Sequence, residues 1–400
     1  MTVIESRLLS LLQPWRSAPA WRVALSGGLD STVLLHLLAG LASRYSLPPL
    51  SAIHVRHGLQ AVADDWPAHC QRLCAQLGVP LHVEYVQVDA GASLERAARE
   101  ARYAALQRNL QAGDVVLTGQ HRDDQAETML FRLIRGAGVR GLAAMPAHRP
   151  LGQGILLRPL LGVSRRELES YARDHGVCWV EDPSNNDTRL SRNYLRHEVL
   201  PALVRQWPQA SANFARSAEH LREAQGLLDE LAQADLCTAA GAPEPFGLGI
   251  PSLLLEPLRS LSPARQRNAL RYWLASLTRL PDSDHWAGWE SLRDAAADRA
   301  PVWGLVDGEL HRTGERLCWL SGAWLRPVVQ PPVEDLALGV NLLPDNGQLT
   351  LDGNPPSASL HIRYRQGGEV MEIPGRGHRD LKRLLNERAI PGFMRGRLPL

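Results

Sequence analysis

Trp21-Arg22-Val23-Ala24-Leu25-Ser26-Gly27-Gly28-Leu29-Asp30-Ser31 decides the fold. Its first five residues form a short apolar run that reads as a strand, and the string after them opens the helical pattern Val33–Ala42. Strand, glycine turn and helix in that order aim successive backbone N–H groups and a helix N-terminus at one point, a nest for phosphate oxygens. Gly27 and Gly28 let the backbone approach an anion, and Ser26 and Ser31, either side of Leu29, supply hydroxyl donors. Asp30 would repel phosphate unless a cation lay between them, so it is assigned to Mg2+. A bare Ser-Gly-Gly would be an ordinary capped turn. The whole string after a strand carries the functional reading.

Outward from this point the alternation repeats. Leu50–Val55, Leu81–Val88 and Asp114–Gly119 read as strands, with helices expected near Asp65–Leu77, Ser93–Leu110 and Gln125–Ile134. Such alternation implies an α/β fold with a Rossmann-like parallel sheet, helices on both faces and ligands beyond the strands' carboxyl ends. After about residue 200 the strand pattern fades. Ala210–Ala234 and Pro263–Thr278 read as helices, separated by a Gly/Pro-rich loop, and six prolines between Arg326 and Leu360 mark a linker with short strands.

A chain of 400 residues calls for two or three domains. With 44% hydrophobic and 22% charged residues it is a folded globular protein, and no run approaches the ~20 apolar residues of a membrane span. The N-terminus lacks a basic n-region, which argues against a secretory signal. Five cysteines, widely spaced and without a CxxC pair, argue against disulfides, structural zinc or a redox pair, so a cytoplasmic setting is expected. Of the 44 basic residues only Lys382 is lysine, so there is no Walker A loop, and Schiff-base chemistry would rest on that residue alone. The net charge of +2 hides an asymmetry: residues 361–400 carry +5 and the preceding 360 carry −3. A basic terminal domain suits a nucleic-acid backbone.

The second constellation is His121-Arg122-Asp123-Asp124-Gln125-Ala126-Glu127-Thr128, after the fourth strand. Asp124 and Glu127 are three apart at a helix start and share a face. Acidic residues there also serve as plain helix caps. As a functional pair they would hold Mg2+ or an ammonium group, or take a proton from an attacking amine. Arg192 and Arg196, with Asn193 between them, offer guanidinium forks for a carboxylate or phosphate. Arg99 and Arg102 repeat a close spacing on a helix that also carries Glu95 and Glu100, so surface ion pairs compete there with an ATP or RNA contact.

Ser26–Ser31 resembles the pyrophosphate loop of the N-type ATP pyrophosphatases, which adenylate a substrate oxygen. The His121–Thr128 string is similar to that of lysidine synthetases and of 2-thiocytidine-type tRNA thiolases. The thiolases carry CxxC pairs, absent here, whereas Arg135-Gly136-Ala137-Gly138-Val139-Arg140-Gly141-Leu142, Arg158–Leu161, Glu181–Asn185 and Ser191–Arg196 resemble the tRNA(Ile)-lysidine synthetases. Gly367–Glu369 and Leu381–Leu385, with Ile390-Pro391 and Arg395–Pro399, are similar to that family's C-terminal domain. The resemblance implies a catalytic domain over 1–205, a helical tRNA-contacting domain over 206–325 and a linker with a small basic α+β tRNA-binding domain over 326–400, with truncation at Leu400 left open. It also implies the reaction: ATP adenylates C2–O of the wobble cytidine in the CAU-anticodon tRNA(Ile), and free L-lysine then displaces AMP. Asp30, Asp124, Glu127 and Arg192 become the catalytic set, and Ser26–Ser31 with His57 the ATP set, although the family usually has Asn or Asp where this chain has Arg56. Asn193, Arg196, Arg99, Arg102, Lys382 and Arg383 become lysine or tRNA contacts. The alternatives are a thiolase, or an RNA-binding protein with a vestigial nucleotide site. Oligomeric state is not legible, and a homodimer is left open.

Overall fold

The computed structural model describes residues 2–56, 58, 65–88, 94–241, 247–281, 283–296, 299–328, 336, 338–343, 346–353, 362–373, 375 and 377–400. They fall into two units, Met1–Gly226 and Leu227–Leu400. In the first, the order is α1 (Val3–Leu12), β1 (Trp21–Ala24), α2 (Leu29–Ala42), β2 (Leu50–Arg56), α3 (Trp66–Leu77), β3 (Leu81–Tyr85), α4 (Leu94–Arg108), β4 (Val115–Leu117), α5 (Arg122–Ile134), α6 (Val139–Leu142), β5 (His148–Leu151), β6 (Gly154–Leu157) and α7 (Arg165–Asp174). The sheet runs β3-β2-β1-β4-β6-β5, parallel except where β5 meets β6. From β1 the chain winds outward through β2 and β3, then crosses back to β4 on the other side of β1. Strand order therefore reverses between β1 and β4, which opens a crevice at their carboxyl ends.

Helix α2 fixes one wall of that crevice. Leu29, Val33, Leu34, Leu35, Leu37, Leu38 and Leu41 are all buried, and they share a core with Val23 and Leu25, Leu8 and Leu12 of α1, and Leu168 of α7. A helix apolar on all sides belongs in the interior, so the loop ahead of it is anchored at both ends. Helix α5 begins at Arg122, earlier than the expected Gln125, because His121 caps it: its ring accepts from Asp123 N–H, and Asp124 accepts from His121 N–H. The β5–β6 hairpin and α7 were not anticipated, although Ser164-x-x-Glu167 is a capping box visible in the sequence.

The chain continues through α8 (Ser191–Tyr194), one wide turn over Leu195–Val199, α9 (Leu200–Gln206) and α10 (Ala210–Ala240). The wide turn is a π-helix in which Leu200 N–H reaches back to Leu195 O. Pro201 offers no N–H, and its ring would clash with the carbonyl four residues back in a regular helix, so a wider turn relieves the conflict. The unit boundary lies at Gly226, later than residue 205, because the start of α10 packs on the first unit. Arg222 donates to Ala143 O (2.9 Å) and Met145 O (2.8 Å), and Ala218 joins Met129 and Ala144 in a small apolar cluster.

The second unit is helical, as expected, but also holds a four-stranded antiparallel sheet, ordered β7-β10-β9-β8. Its elements are β7 (Ser252–Leu254), α11 (Leu255–Arg259), α12 (Pro263–Leu274), α13 (Ala287–Asp294), β8 (Val302–Leu305), β9 (Gly308–Thr313) and β10 (Arg316–Leu320). Trp286, Trp289, Trp303 and Trp319 fill the space between sheet and helices with Leu270 and Leu274. The hairpins β11 (Gly339–Leu343)–β12 (Gly347–Leu351) and β13 (Val370–Ile373)–β14 (Gly377–Asp380) follow, then α14 (Leu381–Glu387) and α15 (Gly392–Arg395). Arg363 and Leu400 exchange backbone hydrogen bonds of 3.0 and 2.8 Å, tying this α+β region to its own end. Among the described residues, no helix is long and apolar enough to cross a membrane.

Candidate active site

The loop after β1 is held by its own hydroxyls. Ser31 Oγ donates to Gly28 O (3.2 Å) and accepts from Ser26 N–H (3.1 Å), while Ser26 Oγ lies 3.0 Å away and accepts from Gly28 N–H (3.3 Å). Gly27 takes φ +87°, where a side chain is strained, and a Cβ there would also lie 3.1 Å from Val180 Cγ2. Val180 N–H in turn donates to Gly27 O (3.0 Å), so the 179–186 segment covers one edge of the loop.

Gly119, which the sequence did not mark as a site residue, locks this loop to the one after β4. A Cβ there would sit 2.8 Å from the Asp30 carbonyl carbon and 2.9 Å from Ser31 N. Those are backbone atoms and cannot swing aside. We expect Gly119→Ala to lower kcat/KM for ATP at least ~10-fold, since a misplacement near 1 Å costs about that or more. Pyrophosphate release measured against ATP concentration checks it, and an unchanged kcat/KM would refute the contact's importance.

Asp30 Oδ1 is buried and has no hydrogen-bond partner. Burial, then the nearby Asp124 charge, raises its pKa, against His121, Arg165 and Arg196. His121 is fully buried, and its Nε2 lies 3.6 Å from both Asp30 Oδ1 and Asp124 Oδ2. Because Nδ1 accepts from Asp123 N–H (3.2 Å), Nε2 is assigned the proton and faces both carboxylates. An under-compensated carboxylate beside a phosphate nest fits a cation. Among the described residues no three His, Cys, Asp or Glu side chains form a metal cage, so the remaining ligands would be phosphate and water, as suits Mg2+.

Arg196 binds the second carboxylate pair. Its Nε donates to Glu127 Oε1 (2.6 Å), and its Nη2 donates to Glu127 Oε2 (3.0 Å) and Asp124 Oδ1 (3.0 Å). Asp124 Oδ2 accepts from His121 N–H (3.0 Å). Burial pushes the Glu127 pKa up, and the Arg196 guanidinium pulls against that shift. Burial opposes the Arg196 charge too, but Glu127, Asp124 and Asp30 outweigh it and lift its pKa. Asp124 opens onto the cleft, whereas Glu127 is only 1% exposed and acts from behind.

The cleft, about 680 Å³, is lined by Ser26, Gly28–Ser31, Gly119, Asp124, Arg99, Arg102, Arg192 and Arg196. Arg192 donates to Thr128 Oγ1 (2.9 Å). Asn193 is buried, with its amide donating to Ser184 O (2.7 Å) and Asp187 O (3.0 Å), so it holds the 182–187 loop whose Asp182, Asn185 and Asn186 face the cleft. Lys382 and Arg383 lie on α14 of the second unit. His57 lies outside the described residues.

A family described as a PP-loop domain matches residues 1–203, a TilS substrate binding domain matches 253–318 and a TilS substrate C-terminal domain matches 360–400. The chain is 66% identical over 399 residues to the tRNA(Ile)-lysidine synthase of Pseudomonas fluorescens (strain Pf0-1), covering 99% of this chain and 90% of that one. The chain belongs to the tRNA(Ile)-lysidine synthase family. It is also 44% identical over 409 residues to the tRNA(Ile)-lysidine synthase of Alkalilimnicola ehrlichii (strain ATCC BAA-1101), covering 99% and 89%. Among solved structures it is similar to the U34-tRNA thiolase NcsA from Methanococcus maripaludis with its 4Fe-4S cluster, at 18% identity and a TM-score of 0.46, over 55% of this chain and 78% of that one.

Besides Gly119, the structure brings to the cleft Met145 and Tyr103, with Gln125 behind them, none of which the sequence marked as a site residue. Gln125 forms a matched pair of 2.8 Å hydrogen bonds with the N–H and C=O of Met145, which lines the cleft. Gln125 lies on α5 and Met145 follows α6, 20 residues on, and no spacing rule encodes that pairing.

Proposed function

We propose that the first-unit cleft carries out both half-reactions of lysidine formation, on ATP and then on free L-lysine. The family's chemistry is ATP-dependent, and it converts the C2 oxygen of the wobble cytidine of tRNA(Ile) into a leaving group. In the first step that oxygen attacks the α-phosphorus and pyrophosphate departs. In the second the lysine ε-amine attacks C2 and AMP departs.

The Ser26–Ser31 loop takes the departing pyrophosphate through its N–H groups and hydroxyls. Asp30 holds Mg2+, which supplies positive charge to the phosphate oxygens when bound. Asp124 receives the lysine ammonium and accepts its proton, and Glu127 sets the geometry of Asp124 through their shared Arg196. Arg192 takes the lysine carboxylate or the α-phosphate. Asn193 holds the 182–187 loop against the substrate, and Lys382 with Arg383 contributes to tRNA binding from the basic C-terminal region. All five cysteines are free thiols, in keeping with a cytoplasmic enzyme.

The observation that carries this reading is the packing of Gly119 on Asp30, which brings the phosphate loop and the carboxylate loop to one switch point. Nucleoside mass spectrometry of tRNA(Ile) after incubation with ATP, Mg2+ and lysine tests it. Lysidine should form only when all three are present. Formation without lysine, or incorporation of sulfur instead, would overturn it.

A further inference from the structure

We infer that Arg99, Arg102, Arg149 and Arg158, gathered round Tyr103, form a subsite for a backbone phosphodiester of the RNA whose cytidine enters the cleft. Three guanidiniums approach a single phenol ring: Arg149 at 4.9 Å from its centroid, Arg99 at 5.0 Å and Arg102 at 5.6 Å. Arg99 Nη2 also lies 3.4 Å from the Tyr103 hydroxyl. Behind them Arg158 is 3% exposed; its Nη1 donates to Pro146 O (2.7 Å), and its Nε is buried with no partner.

Among the described residues none of the four has a carboxylate partner. The helix's own Glu100 is taken by Arg96 at 2.7 Å. Burial lowers the pKa of Arg102 and Arg158, and neighbouring arginines press in the same direction. The ring quadrupole offsets part of the like-charge repulsion, but donors without acceptors remain. An anion resolves both deficits.

Which anion follows from position. The pyrophosphate nest is already built at Ser26–Ser31, on a different loop. Arg99, Arg102 and Tyr103 line the cleft, whereas Arg149 on β5 and Arg158 do not. The positive field thus runs from inside the cleft to outside it. A nucleotide lying in the cleft does not follow that path; a strand delivering one base into the cleft must. Phosphate contacts of this kind position a nucleic acid without reading its sequence.

The inference rests on the cleft being the tRNA-modifying site, so the test separates the two. Binding of tRNA(Ile) is measured over a range of salt concentrations for the wild-type enzyme and for Arg149→Gln, together with KM for ATP. Arg149→Gln should bind tRNA about 3- to 10-fold more weakly near 0.1 M salt, with the slope of log K against log salt smaller by about 1, and KM for ATP unchanged. Arg149→Lys should recover most of the affinity, because a phosphate needs the charge more than the fork. Unchanged tRNA affinity and slope in Arg149→Gln, or a loss that falls on ATP, would overturn the subsite while leaving the cleft's assignment standing. Wild-type enzyme that neither binds nor modifies tRNA would overturn both.

Discussion

Asp30→Asn should cost about 10²–10³-fold in pyrophosphate release and at the same time make the protein more stable at neutral pH. The first effect is of the size seen when one preorganised group facing the developing charge is removed. The second follows from linkage. Asp30 has a raised folded-state pKa, chiefly from burial, so the unfolded chain ionises it more readily than the folded one. The resulting penalty is fully present above the folded pKa. It fades as pH falls through that value toward the unfolded one, and it vanishes below the unfolded pKa. Asparagine cannot ionise and escapes it. The side chain keeps 31% exposure, so water screens part of the effect, and a gain of about 1 kcal/mol, or about 2–4 °C, is expected. Thermal melts at pH 7.5 and pH 4 should show a larger advantage for the variant at the higher pH. Added MgATP should raise the wild-type melting temperature and leave Asp30→Asn unmoved. A variant that melts lower at pH 7.5, or that keeps its activity, would refute the assignment.

Arg196→Met should be among the most destabilising single substitutions in the catalytic unit, at about 3–5 kcal/mol, because it strands a buried Glu127 carboxylate. Glu127→Gln alone should cost less, since Arg196 retains Asp124 at 3.0 Å. The double variant should be more stable than Arg196→Met alone, because the deeply buried Glu127 carboxylate is no longer left stranded. Urea titrations of the two single variants and the double measure the coupling. Strict additivity would mean that the pair is structurally incidental. The double variant should stay inactive even where it folds, as Asp124 loses the guanidinium that orients it.

These two cases mark where the sequence was legible. Asp30 could be placed because strand, glycines and helix are contiguous, so a local pattern carries the whole geometry. The Asp124/Glu127 pair was legible as one helix face, but its partner Arg196 lies 69 residues beyond Glu127 and reaches it from a π-turn. That turn depends on Pro201 meeting a helix otherwise continuous, a conflict settled by tertiary packing. Gly119 was hidden for a different reason: its demand comes from backbone across the crevice. In the second unit, strands of three to six residues around four tryptophans were too short for periodicity to separate them from helix. Asn193, expected to touch substrate, spends its amide on two loop carbonyls, a role that only the folded loop reveals.

One surface detail has a practical use. Lys382 is exposed on α14 and is the single lysine in 400 residues. Amine-reactive dyes or crosslinkers therefore have one side-chain target in this chain. The C-terminal region can thus be tagged at a defined point without mutagenesis, and the proposed docking of an RNA there can be followed in real time.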